Sequence, residues 1–228
     1  MPSSEIRVVA FFLPIVAVAA APFLSPCPSA EPTAQRPNIV FIMTDQQHVG
    51  MMSCADNASL KTPAMDSLAR DGIRFERAYV ANPVCVPSRI SMATGMMPGR
   101  LGVFSNGMKA IVPDEVNKNS LGTLIQRAGY DCFYGGKVHL CPELNPPNAG
   151  YDVVDRDQRE SLPDACIEFL RRKRDRPFFA VASFINPHDI CLLAGEKTPL
   201  ADEIWKRYQP PEGAELPPVP DNFESTRG

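Results

Sequence analysis

Three short, largely apolar runs punctuate the chain, each too short for a helix. Ile39-Val40-Phe41-Ile42-Met43 leads into Thr44-Asp45, and the run 130–134 leads into Gly135-Gly136-Lys137-Val138-His139. The third, Phe178-Phe179-Ala180-Val181-Ala182-Ser183-Phe184-Ile185, leads into Asn186-Pro187-His188-Asp189. Strands apolar on both faces are what a parallel sheet covered by helices requires, so the first run reads as a central strand of such a sheet. Between the runs the period becomes helical. Thr62-Pro63 opens one helix, with Met65, Leu68 and Ala69 as its apolar side and Gly72 at its end. Asn119 or Ser120 caps a second, with Leu121, Leu124, Ile125 and Ala128 on one face and Gly129 as terminator. A third ends at Ile167, Leu170 and the basic Arg171-Arg172-Lys173-Arg174, where positive charge suits the carbonyl end and reads as a solvated helix terminus. The alternation predicts an α/β fold with a mostly parallel central sheet covered by helices.

Asp45, Lys137 with His139, and His188 each follow a candidate strand. Open α/β sheets bind ligands outside the carboxyl ends of their strands. A lone histidine is more often structural than functional. Several polar groups delivered to one sheet edge shift the balance toward a site.

Composition narrows the class. The 228 residues are 44% hydrophobic, with 23 Lys+Arg against 26 Asp+Glu, which suits one globular domain and excludes disorder. A net charge of -3 gives no footprint for nucleic acid. The 24 prolines predict stiff loops and frequent helix stops, and the stretch 210–220 is too proline-rich for a helix or a central strand. At the N-terminus, Arg7 precedes an uncharged run over 8–24, interrupted by Pro14 and Pro22 and followed by Pro28-Ser29-Ala30. This reads as a secretory signal peptide over 1–30 rather than a membrane span, and predicts a secreted or periplasmic product. Beyond Cys27 lie six cysteines, with no CxxC pair, and the three histidines stand alone at 48, 139 and 188, so a zinc site of ordinary local spacing is not expected.

The most specific stretch is Asn82-Pro83-Val84-Cys85-Val86-Pro87-Ser88-Arg89, continuing to Thr94-Gly95. Pro87 and Ser88 start a helix beside Cys85, where free amides and the helix dipole favour an anion. Arg89, one turn on, adds a planar cation suited to oxyanions. Taken alone, these residues leave open a cysteine nucleophile in a positive pocket or a buried structural cysteine beside an arginine.

With Cys85-Val86-Pro87-Ser88-Arg89 and Thr94-Gly95, the chain resembles the type I sulfatases of the alkaline-phosphatase-like superfamily. The segment 38–46 resembles the family's first strand and its metal-binding end. Gly129-Tyr130 with Gly136-Lys137-Val138-His139 resembles its second signature, and Asn186-Pro187-His188-Asp189 its substrate histidine. The resemblance implies that Cys85 is oxidised to Cα-formylglycine by a formylglycine-generating enzyme or equivalent, and that its hydrated aldehyde is the nucleophile. It implies a divalent cation, Ca²⁺ or alternatively Mg²⁺, on Asp45, Gln46 and modified Cys85. It assigns Arg89 to the hydrate, Lys137 to sulfate, His139 to the hydrate, and His188 to sulfate or the leaving oxygen.

The activity implied is hydrolysis of a sulfate ester on a small molecule or glycan. The alternatives are a noncatalytic sulfated-glycan-binding or decayed fragment, and a phosphonate or phosphodiester hydrolase. Gln46 stands where many members have a second aspartate, and Val138 where an aromatic is common. The resemblance covers 36–223, the N-terminal half of the family's catalytic domain, which occupies 31–228 here. An incomplete sheet with an exposed edge and little or no turnover are therefore expected of these residues alone.

Overall fold

The computed structural model describes residues 36–108, 111–155, 159–192, 198–215 and 218. The expected signal peptide over 1–30, and the residues of the proline-rich stretch beyond 215 other than 218, lie outside the described residues. Four strands form one parallel sheet: β1 (Ile39–Asp45), β2 (Asp131–Gly136), β3 (Val153–Asp155) and β4 (Phe178–Pro187), in the order β1-β4-β2-β3. Among the described residues six helices accompany it: α1 (Pro63–Asp71), α2 (Cys85–Thr94), α3 (Asp114–Lys118), α4 (Leu121–Arg127), α5 (Leu162–Arg171) and α6 (Pro199–Tyr208).

Alternate residues of a strand face opposite sides, and the sheet is filled accordingly. Cys132, Tyr134, Phe179 and Val181 form one buried cluster with Ile125 of α4 packed against it. Phe133, Phe178 and Ala180 form another with Phe169 of α5, whose ring stacks on Phe133 at 4.9 Å. A third cluster joins Val86 and Ile90 of α2 to Val103, Val112, Cys141 and Leu144.

β4, rather than β1, is the central strand. It pairs with β1 on one side and β2 on the other, and residues Phe178 to Ser183 are all buried. β1 is an edge of the described sheet, with Val40 46% and Ile42 58% exposed. The exposed edge matches the expectation of an incomplete sheet, whereas the central placement of β1 does not. Apolar periodicity reports which faces a strand can bury and carries no information about its lateral neighbours.

The helices also depart in detail. α1 occupies the expected span, but Leu68 is 67% exposed and no residue of the helix is buried. Thr62 stands at the N-cap position as expected, but its hydroxyl takes no helix amide: it accepts the Ser53 amide at 2.9 Å and donates to Asp66 Oδ1 at 3.0 Å. The basic terminus of α5 is not uniformly solvated. Arg174 lies over the Phe169 and Phe178 rings, 4.3 and 4.9 Å from their centroids, and pairs with Asp131.

Register fixes where chemistry can happen. Met43, Ser183 and Gly136 stand side by side across β1, β4 and β2. The residues that follow, Asp45, Lys137 and His188, are therefore delivered to one edge. Between Met43 and Asp45 the pairing with β4 is irregular. Gly136 turns the chain at φ +90°, and a Cβ there would lie 2.1 Å from the Ser183 carbonyl oxygen.

Gly136→Ala combines left-handed strain with backbone overlap and is expected to cost about 2–5 kcal/mol. Gly95, also left-handed but with no atom within 4 Å of a built Cβ, provides the comparison. Gly95→Ala is expected to cost only about 1–2 kcal/mol. Urea unfolding midpoints of the two variants check the difference; equal losses would show that the Ser183 contact is not limiting.

Candidate active site

α2 begins at Cys85 with no side-chain cap from Val84. The distant Asn106 supplies one instead, its Oδ1 accepting the Val86 amide at 2.9 Å. Arg89 lies one turn after Cys85 on the same helix face. It is 5% exposed, and its guanidinium ties α2 to all three long strands. Nη2 meets Asp45 Oδ2 at 2.9 Å, while Nη1 donates to the Lys137 carbonyl at 2.7 Å and to Ser183 Oγ at 2.9 Å.

Lys137 completes the cluster. Its Nζ lies 2.7 Å from Asp45 Oδ2 and 3.7 Å from Cys85 Sγ. Cys85 Sγ in turn donates to Asp45 Oδ1 at 3.8 Å. The backbone of Lys137 is held as firmly as its ammonium. Its amide donates to the Ser183 carbonyl at 2.8 Å, and its carbonyl also accepts Tyr134 Oη at 2.9 Å and Ser183 Oγ at 2.8 Å. Asp45 is buried, which alone would raise its pKa. Hydrogen bonds from Lys137 and Arg89, with their charges, more than offset that and hold the carboxyl below its ordinary value of 3.8.

The two candidate histidines arrive differently. His139 follows Lys137 by two residues with φ 45°, a left-handed backbone. Partial desolvation and the charges of Lys137 and Arg89 hold its imidazole below the ordinary 6.5, against the opposing pull of Asp45. His188 opens the 3-10 turn His188–Leu192 directly after β4. One ring nitrogen of His188, an Asp45 carboxylate oxygen and Cys85 Sγ all lie within 4.8 Å of one another. In a 3-10 turn residues three apart eclipse, and Cys191 Sγ accordingly sits 3.6 Å from His188 Nδ1. Asp189, 2% exposed, anchors the turn through Arg159 Nε at 2.7 Å. Gln46 follows Asp45 at the same strand end, exposed and left-handed with φ 61°.

Thus Asp45, Cys85, Arg89, Lys137 and His188 converge around one spot, and His139 and Gln46 stand beside it in sequence. Tyr134, Ser183, Asn106 and Cys191 belong to the site's support but carried no motif. Ser183 alone left a trace, as a hydroxyl inside an apolar strand. The donors present fit a divalent cation: Asp45 turns one oxygen toward Cys85 and neutralises Lys137 and Arg89 with the other. Chemically, the arrangement can hold an anion beside a reactive group at a helix start.

A parallel α/β sheet with a cysteine at a helix start and buried cations at its strand ends defines the class. A family model described as Sulfatase matches residues 37–218, and the chain belongs to that family. YidJ, an uncharacterized sulfatase of Escherichia coli strain K12, is 40% identical over 197 residues, covering 68% of this chain and 39% of its own length. The Delta 4,5-hexuronate-2-O-sulfatase of Bacteroides thetaiotaomicron is 27% identical over 216 residues, covering 88% of this chain and 43% of that protein. Among solved structures, BT1596, a 2-O GAG sulfatase, superposes with a TM-score of 0.65 at 25% identity, covering 83% of this chain and 42% of that one. The chain spans about two fifths of the length of these relatives.

Asp45→Asn leaves Arg89 and Lys137 buried side by side without a counter-charge and is expected to cost about 3–5 kcal/mol. The same contact gives a pH dependence. A carboxyl whose folded pKa is lowered stabilises above the unfolded value of 3.8, and this contribution disappears as pH falls through the lower folded value. Denaturant titrations across that acidic window should show a smaller acid loss in Asp45→Asn than in the parent. An equal loss in both would place the acid sensitivity elsewhere.

Proposed function

We propose that this chain is the nucleophile-bearing portion of an exported sulfuric ester hydrolase whose substrate is a sulfated carbohydrate. The observation that carries the reading is the contact of Cys85, at the start of α2, with both Asp45 and Lys137. A hexuronate-2-O-sulfatase and a 2-O GAG sulfatase among the relatives support the carbohydrate class. The uncharged run at the N-terminus supports export to the periplasm or outside the cell, where the maturation enzyme meets Cys85.

In this reading Cys85 is converted to Cα-formylglycine, which when present supplies a hydrated aldehyde oxygen as nucleophile. Asp45 and Gln46, together with that residue, would hold a divalent cation, taken as Ca²⁺ because every donor is then oxygen, and it would supply positive charge to offset that on the sulfate oxygens. The chain's own residues do the rest. Lys137 Nζ binds a sulfate oxygen, its backbone fixed by Ser183, Tyr134 and Arg89 so that little reorganisation accompanies the reaction. Arg89 sets the distance between α2 and the strand ends. His139, its imidazole held below the ordinary value by partial burial and the charges of Lys137 and Arg89, serves as a proton acceptor toward the hydrate. His188 has Nδ1 beside Cys191 Sγ and offers Nε2 to the departing alcohol oxygen.

Two measurements test this. Peptide mass spectrometry of the protein from its natural source should find Cys85 with sulfur and two hydrogens lost and one oxygen gained. An unmodified thiol throughout would sink the mechanism. In the mature enzyme, Lys137→Ala should lower kcat/KM for a sulfate ester by roughly 10²–10³. An unchanged value would remove Lys137 from the sulfate site.

A further inference from the structure

Cys85 also creates a site of a different kind while it is still a thiol. Asp45, Cys85 and His188 are far apart in sequence, and each supplies one ligand-type atom to a group spanning at most 4.8 Å. We propose that the chain whose Cys85 remains unconverted binds Zn²⁺ through Asp45, Cys85 and His188, so that the chemical state of Cys85 selects the metal.

Asp45 divides its work between its two oxygens. Oδ2 takes Lys137 at 2.7 Å and Arg89 at 2.9 Å, whereas Oδ1 accepts the Cys85 thiol at 3.8 Å. A metal replaces that thiol proton: Sγ–H releases H⁺ to solvent, and Sγ–Zn and Oδ1–Zn bonds form while the Arg89 pair on Oδ2 stays in place. With Zn–S of about 2.3 Å and Zn–O of about 2.0 Å in a tetrahedral site, the two atoms stand about 3.5 Å apart. The observed 3.8 Å therefore closes with a shift of a few tenths of an ångström. His188 supplies the third ligand through a ring nitrogen, and Cys191 Sγ lies 3.6 Å from its Nδ1. Water completes the shell.

Thiolate, imidazole and carboxylate together are a borderline-soft set that matches Zn²⁺ and is poorly suited to Ca²⁺. Replacing the sulfur by oxygen removes the one soft donor and leaves a site for a hard cation. Lys137 opposes the ion, since its Nζ is 3.7 Å from Sγ and must move aside. Zinc binding by the thiol form depends on these distances and donors alone, whether or not the converted chain is a hydrolase.

The test uses the natural full-length chain produced without conversion of Cys85, verified by mass and stripped with chelator. Co²⁺, a spectroscopic substitute for Zn²⁺, should bind one per chain and give a thiolate-to-cobalt charge-transfer band that Zn²⁺ discharges and equimolar Ca²⁺ does not. Cys85→Ser should abolish the band, and Cys191→Ser and Cys54→Ser should keep it. Zn²⁺ affinity in Cys85→Ser should fall by more than the roughly 100-fold that losing a group behind a ligand costs. Lys137→Met should tighten Co²⁺ binding several-fold, a gain that adventitious binding would not show. Alkylation of the unsubstituted chain provides a measurement free of folding artefacts: Zn²⁺, and not Ca²⁺, should slow alkylation of the Cys85 peptide while leaving Cys54 unaffected. A sulfur-to-cobalt band that survives Cys85→Ser, its absence from the folded thiol chain, weaker Co²⁺ binding in Lys137→Met, or no protection of Cys85 would each overturn the proposal. Turnover of the converted enzyme is measured separately, so failure of the hydrolase reading and failure of this one give different results.

Discussion

The carboxylate of Asp45, shared between Arg89 and Lys137, is the contact on which the site depends. Arg89 rises from α2, Asp45 ends β1 and Lys137 follows β2, so one carboxylate oxygen joins three elements that are remote in sequence. A buried cation pair without a counter-charge would open the structure, because desolvation of each ion costs several kcal/mol unless it is offset. With the carboxylate in place, the cations are held close to Cys85 and aimed at the same volume. The positive field that suits an anion is thus a condition of the local fold as well as of the chemistry.

The sheet supplies the rigidity behind that cluster. β4 runs between β1 and β2 and is buried on both faces, so its end cannot drift relative to theirs. Ser183 exploits this position: its backbone carbonyl takes the Lys137 amide, and its hydroxyl lies between Arg89 and the Lys137 carbonyl. Hydrogen bonds in a buried network leave few alternative arrangements, since each broken bond would strand a desolvated polar group. The 3-10 turn after β4 extends the same logic to His188. Asp189 is drawn inward by Arg159, and Cys191 stands one eclipsed turn from the imidazole.

Asp45, Cys85 and His188 bring a carboxylate, a thiol and an imidazole within 4.8 Å of one another at the strand ends. The softness of the donor at position 85 bears on which cation such a group suits. Membership of the sulfatase family rests on the match over residues 37–218.

The sequence by itself determined the α/β class, the three long strands, and the segment around Cys85 that carries the family resemblance. Consecutive apolar residues can be satisfied only by burial on both strand faces, and a Cys-Val-Pro-Ser-Arg run at a helix start is chemically unusual. It also placed Asp45, Lys137, His139 and His188 at strand ends, because each directly follows an apolar run. It read β1 as central, whereas β1 is an edge of the described sheet, and it placed Thr62 at the start of α1 without foreseeing where its hydroxyl bonds, since neighbours across a sheet and competing partners such as Ser53 and Asp66 leave no local signature. Asn106, Tyr134, Ser183 and Cys191 entered the site only through the fold. The convergence of Asp45, Cys85 and His188 was decided by tertiary structure for the same reason: the parallel register of β1 and β4 and the start of α2 set those distances, and no local spacing encodes them.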